Sequence, residues 1–209
     1  MQANKRPLII GITGNIGSGK SFFCSELESQ HQIVVYADRI AQKYLLSLKD
    51  TWIRRWGTRV LNGTDLDRAE IARIVFNSAE ERRYLNAQIH PLVLKEFQDI
   101  VDTSSAKALF FEIPLLFEAG LQLCFDLLVL IQTDTDTIIQ RVQARDHSDA
   151  ESIRKRLDAQ IPDAEKAQLV DIVIDNSGSI EALRDAALKL IQSVDNIEYR
   201  QVDSFQSQY

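Results

Sequence analysis

This chain has little of what would place a protein outside a cell or in a membrane. Only two cysteines, Cys24 and Cys124, occur in 209 residues, and neither their number nor their spacing suits a disulfide framework or a zinc site. Both read as ordinary buried thiols. Long hydrophobic runs are missing too. Leu8-Ile9-Ile10 follows Lys5 and Arg6, but the run is broken at Gly11, Thr13 and Gly14, too soon for a signal peptide or a membrane span. Positive charge is in deficit, with 30 acidic against 24 basic side chains and a formal net charge of -6. That balance opposes non-specific attraction to nucleic acid or anionic membrane, so any polyanionic ligand must be held locally. The absences predict a cytoplasmic protein with neither nucleic acid nor membrane as a partner.

What is present is an alternation of apolar runs. With 45% hydrophobic and 26% charged residues, the chain can bury one α/β core with a helical insertion. Leu8 to Ile12 is short, β-branched and ends in glycines, as a buried parallel strand does. Ser21 to Gln30 reads as a helix, Ile33 to Tyr36 as a second strand and Ile40 to Leu48 as a helix. Asp67 opens a further helix, and Ser78-Ala79-Glu80-Glu81 has capping-box spacing ahead of another. Strand-like runs return at Leu109 to Ile113, Leu127 to Ile131 and Ile172 to Ile174. Helices are predicted at Thr135 to Arg145, from a capping box at Ser148 to Glu151, and at Ile180 to Val194. The tail after Asn196 is polar and reads as loose. Strands alternating with helices imply a doubly wound parallel sheet, with ligands beyond the carboxyl ends of its strands.

The sharpest motif is Gly14-Asn15-Ile16-Gly17-Ser18-Gly19-Lys20-Ser21, a full GxxxxGK[ST] match between a predicted strand and a predicted helix. Its glycines let the backbone bend around phosphate and present N–H donors, while the helix adds the positive end of its dipole. Lys20 would reach the β- and γ-phosphates of ATP, and the Ser21 hydroxyl would sit on Mg²⁺. Asp38, read as ending the strand run Ile33-Val34-Val35-Tyr36-Ala37, would stand at the same sheet edge, where a carboxylate can orient or deprotonate an incoming hydroxyl. Capping of the helix near Arg39 fits its position equally well. Arg141 and Arg145 lie four apart, on one helix face. From Arg141 to Arg156 there are five basic residues against three acidic ones, a positive window in an acidic chain. It reads either as a lid over a nucleotide or as a solvated, salt-bridged helix surface.

Taken together, IGITGNIGSGKS (10–21), VVYAD (34–38), IVF (74–76), IHPLV (89–93), IPLLFEAGL (113–121), Arg141 with Arg145-Asp146, AQIP with EK (159–166) and VIDNSGS (173–179) resemble the dephospho-CoA kinase family over nearly the whole chain. The resemblance implies a P-loop NTPase-type doubly wound sheet with a helical acceptor-binding insertion and a helical lid. On it, residues 1–209 form one domain: core 8–50, 106–135 and 168–194, insertion about 51–105, lid about 140–166 and polar tail 195–209. It also implies transfer of the γ-phosphate of ATP to the 3'-hydroxyl of the dephospho-CoA ribose. Asp38 would engage that hydroxyl with Thr13 beside it, and Arg141 and Arg145 would lie near the ATP phosphates. Phe22 would follow the phosphate loop and Asn176 would lie near adenine. His90, Leu115, Leu116, Phe117 and Glu118 would face the acceptor; for His90 a structural role at a helix bend before Pro91 stays open. A monomer or weak homo-oligomer is expected.

The chain departs from the family pattern at four places: Asn15 for the second loop glycine, Phe22 for a threonine, Tyr36 for the first aspartate of Asp-Ala-Asp, and Glu112 for the aspartate before the PLLFE stretch. As neighbours two apart on a strand, Tyr36 and Asp38 would share a face, so the lost carboxylate bears on metal or acceptor contacts. Two rivals remain. Another P-loop kinase of a nucleoside or small alcohol shares the loop and differs in the acceptor pocket. A nucleotide switch would need a guanine-reading Asn-Lys-x-Asp, and Asn4-Lys5-Arg6-Pro7 lacks the aspartate.

Overall fold

The computed structural model describes residues 6–208; Asn4 and Lys5 lie outside the described residues. From β1 (Leu8–Thr13) the chain passes through α1 (Lys20–Ser29) to β2 (Ile33–Tyr36). Then come α2 (Ala37–Ser47), α3 (Lys49–Trp56), a small hairpin of β3 (Leu61–Asn62) and β4 (Asp65–Leu66), α4 (Arg68–Asn77) and α5 (Ala79–Thr103). The sheet resumes with β5 (Ala108–Glu112) and β6 (Leu127–Gln132), passes through α6 (Thr135–Asp146), α7 (Ala150–Asp158) and α8 (Asp163–Lys166), and closes with β7 (Ile172–Asp175) and α9 (Ile180–Ser193).

The five long strands form one parallel sheet in the order β2-β5-β1-β6-β7. Every residue of β1 is buried, because helices cover both faces, which is why its sequence is apolar throughout instead of alternating. Ile10 and Ile12 point to a core with Phe23 and Leu27 of α1 and Leu183, Ala187 and Leu190 of α9. Ile9 points the other way, into a core with Phe97 of α5, Phe111 and Trp52. Gly11 shares that second face, where an added Cβ would come within 2.9 Å of Leu116 Cδ1. A third, smaller cluster of Ile138, Ile139, Val142 and Ile153 joins α6 to α7, with Ile16 packed against it.

Several boundaries differ from the sequence reading. α2 begins at Ala37, so Asp38 sits in its first turn and not at the end of a strand. α7 is capped by Asp149, whose Oδ1 accepts from Ser152 N at 2.8 Å, one residue later than the Ser148 box. Ser78 does cap α5, and that helix runs unbroken through Pro91. The hairpin and α3 have no counterpart in the sequence reading. α3 is anchored by Trp52 and Trp56, stacked 5.4 Å apart.

The tail is not loose. Phe205 is 1% exposed, with its ring 5.3 Å from that of Phe97 and 5.5 Å from those of Phe111 and Phe125. Arg200 N donates to the buried Asp126 carboxylate at 2.8 Å, and Asp126 also accepts from Ile9 N at 2.8 Å, so the tail is tied to the central strand. One aromatic in a polar stretch gives little periodic signal, yet burying a phenylalanine is worth a few kcal/mol, roughly 1.5–3. Among the described residues no helix is long and apolar enough to cross a membrane.

Candidate active site

All five strands run the same way, so their carboxyl ends share one edge. Register pairs Ile12 and Tyr36 with Glu112, and Gln132 with Asp175. The glycine-rich loop leaves β1 at this edge and folds back into α1. Its glycines are required by contact as well as by backbone angle. Gly14, at φ 148°, would put a Cβ 2.1 Å from Ile131 O, and Gly19, at φ 101°, would put one 2.1 Å from Asn176 Nδ2. Gly19 also precedes α1 without a side-chain cap. The amides of Lys20, Ser21 and Phe22 therefore open the helix without intrahelical partners, as donors for an anion.

Lys20 is 7% exposed, its Nζ donating to Gly14 O at 2.7 Å and Asn15 O at 3.0 Å. Burial lowers its pKa and Glu112 pulls it back up. Ser21 Oγ donates to Glu112 Oε1 at 3.2 Å. Burial raises the Glu112 carboxyl above the ordinary range, Lys20 and the Ser21 bond offset this in part, and Asp38 adds to it. Asp38 is likewise raised by burial and drawn down by Lys20. A cleft of about 490 Å³ opens here, lined by Lys20, Ser21, Asp38, Glu112, Arg141 and Arg145 together with loop glycines. Arg141 Nη2 donates to Asn176 O at 3.0 Å. Its Nη1 is buried without a hydrogen-bond partner among the described residues, a donor suited to a phosphate oxygen.

A glycine-rich anion cradle, three cations and two carboxylates around one cleft are the parts of a phosphotransferase. A family model described as dephospho-CoA kinase matches residues 8–182. The chain belongs to the dephospho-CoA kinase family. A dephospho-CoA kinase of Leptospira interrogans is 34% identical over 201 residues, 92% of this chain and 95% of that one. One from Thermus thermophilus is 36% identical over 187 residues, covering 90% and 91%. A crystal structure from Thermus thermophilus superposes with a TM-score of 0.83 at 35% identity, covering 90% of this chain and 98% of that one. A dephospho-CoA kinase from Campylobacter jejuni gives 0.66 at 29% identity, covering 90% and 97%. A shikimate kinase from Acinetobacter baumannii, at 16% identity and a TM-score of 0.52, shares the fold.

Within this family frame the sequence-predicted residues fall into two groups. Lys20, Ser21, Phe22, Ile16, Gly17, Gly19, Asp38, Leu115, Arg141 and Arg145 converge on the cleft. The others do not line it. Thr13 is fully buried and its Oγ1 donates to Pro114 O at 3.3 Å. Asn176 Nδ2 donates to Ser18 O at 2.8 Å, so its amide braces the loop. Leu116 is in the core against Gly11, and Phe117 packs on that core half-buried. Glu118 Oε1 accepts from Ile161 N at 2.9 Å. His90, on α5, is half-buried with its pKa lowered by burial, and does not line the cleft.

Two expectations about Asp38 change with the helix boundary. The N-cap of α2 is Tyr36 and no side chain caps it, so Asp38 has no capping bond. Strand alternation does not govern Tyr36 and Asp38 either. The Tyr36 hydroxyl donates to Glu28 Oε2 at 2.9 Å, and the Arg39 guanidinium lies 3.8 Å from its ring centroid. Sequence reasoning noted Glu112 only as a departure and left Gln160 and Lys166 without roles. A carboxylate closing the apolar run Ala108-Leu-Phe-Phe was the available signal for Glu112.

Proposed function

We propose that this chain transfers the γ-phosphate of ATP to the ribose 3'-hydroxyl of dephospho-CoA, giving CoA and ADP. The supporting observation is that Lys20 and Asp38 line one cleft, with the unpartnered Arg141 Nη1 buried beside it. The loop amides, Lys20 and Arg141 hold the triphosphate and neutralise charge that spreads over the transferred group. Asp38 accepts a hydrogen bond from the acceptor hydroxyl and takes its proton as the new O–P bond forms. The bond from the γ-phosphorus to the β,γ-bridging oxygen breaks, leaving the electron pair on ADP. Burial that raises Asp38 above the ordinary carboxylate range improves it as a proton acceptor, though positioning dominates in a loose transition state.

Mg²⁺ fits the same corner. Ser21 Oγ and Glu112 Oε1 are adjacent hard oxygens with Asp38 nearby. Among the described residues no group of three or more His, Cys, Asp or Glu gathers as a metal cage. Ser21 and Glu112 would hold the ion, a hard cation that takes oxygen donors. When bound, Mg²⁺ supplies charge neutralisation on the phosphates. Residues 51–105 are assigned to the acceptor side, with Leu115 at its edge, and residues 140–166 to a lid carrying Arg141 and Arg145. The protein is assigned to the cytoplasm as a monomer or weak homo-oligomer.

The test is formation of CoA from Mg-ATP and dephospho-CoA, followed by chromatography. Slow ATP hydrolysis without CoA would overturn the assignment. In that case phosphorylation of a nucleoside or small alcohol in the same assay would point to a neighbouring P-loop kinase activity.

A further inference from the structure

Lys166, the last residue of α8, is 0% exposed. A lysine is almost never fully buried unless something holds its charge. Its Nζ donates to Asn15 Oδ1 at 2.9 Å and lies 3.3 Å from Glu118 Oε1. Burial raises the Asp163 carboxyl, one turn earlier, and this ammonium offsets part of that. Asn15 is thereby gripped from two sides, since Lys20 Nζ donates to its main-chain oxygen at 3.0 Å. The next residue is gripped as well: Ile16 N donates to Gln160 Oε1 at 3.0 Å. Glu118 closes the circuit by accepting from Ile161 N at 2.9 Å.

Resting on the phosphate-loop reading above, we propose that Lys166 is a positioning residue for nucleotide binding, acting through the side chain of Asn15 to fix the first half of the loop, with Gln160 as the second clamp. Three considerations carry this. Asn15 is buried at the head of the loop, and its side-chain oxygen is met there by Lys166 Nζ. The ammonium is buried among Asn15, Glu118, Asp163 and Lys20, all at the loop, and has no exposure through which to act as a surface charge. Segment 160–166 joins the end of α7 to the sheet, so the bonds to Asn15 and Ile16 fasten the arginine-bearing lid region to the loop that receives phosphate. Lys166 touches no phosphate in this account; it sets the backbone that does.

The experiment measures Mg-ADP affinity by calorimetry and both KM values by coupled assay. In Lys166→Met the Kd for Mg-ADP and the KM for ATP rise about tenfold, the scale of one charge-assisted hydrogen bond, while the KM for dephospho-CoA stays within about twofold on the same estimate. Lys166→Gln, which keeps an N–H donor for Asn15 Oδ1, recovers most of that loss. Asn15→Ala reproduces it, and adding Lys166→Met to Asn15→Ala costs little more, because the two act as one unit. A merely structural lysine would instead lower the melting temperature and kcat with the Kd for Mg-ADP unchanged, or give losses that add in the double variant; either result overturns the proposal. If Lys166→Met does not fold, Asn15→Ala decides by its nucleotide Kd alone. Because ADP binding is read without an acceptor, the answer stands apart from whether dephospho-CoA is the substrate.

Discussion

The two halves of the cleft are built differently. On the phosphate side the loop is braced from several directions: Lys20 to two loop carbonyls, Asn176 to Ser18, Lys166 to Asn15 and Gln160 to Ile16. On the acceptor side Leu115 is 48% exposed, and the carboxyls of Asp38 and Glu112 are held above their ordinary range by burial. Under the proposed function, the loop bonds preorganise the first half for phosphate. The second holds the buried Glu112 and the exposed Asp38, two carboxyls that a cation and a hydroxyl would relieve in the same reading. On the proposed function, the braced loop lies on the phosphate side and the two carboxyls lie toward the acceptor.

The largest effect should come from Lys20→Ala, which removes the cation common to both halves. Transfer should fall on the order of 10²–10³-fold in kcat, with weakened ATP binding, measured by CoA formation and by calorimetry. Asp38→Asn should separate the halves: kcat should fall on the order of 10²-fold or more with nucleotide Kd nearly intact. Full turnover in that variant would remove the acceptor role. Asn176→Ala, which frees Ser18 O without touching the acceptor side, should raise the KM for ATP about tenfold and leave the acceptor KM in place. Far from both halves, Phe205→Ala should cost about 3 kcal/mol and lower the melting temperature by several degrees, with neither KM altered.

The smallest effect is a pH signature. Asp38 has a folded pKa above its unfolded value, so the fold disfavours its charged form. Its relative stability is present below the unfolded pKa, near 4, and is lost as pH rises through the folded value. Asp38→Asn should therefore melt slightly higher than wild type at neutral pH, with the difference vanishing in acid. The acid limb of kcat/KM should lie above the ordinary carboxylate range and fall as pH drops through it.

The loop, the central strand and the order of elements were legible in the sequence because each is local. Glycines at positions 14, 17 and 19 and the apolar run of β1 announce themselves over a dozen residues. Asp38 was legible as a residue but not as a place. Its helix begins three residues earlier than the periodicity suggested, and Tyr36 turned away to Glu28, a partner eight residues back that no strand rule contains. Leu116 looked like acceptor surface because it belongs to a motif, and packing placed it under Gly11 instead.

By itself the sequence determined a parallel α/β chain with a phosphate loop, since hydrophobic period and glycine placement act between near neighbours. Only the tertiary structure decided that Phe205 closes the core, that Glu112 joins Ser21 and Asp38, and that Lys166 reaches Asn15 across the fold. Contacts between residues ninety to a hundred and fifty positions apart leave no periodic trace; they exist because burial makes an unpaired charge costly and the fold supplies its partner.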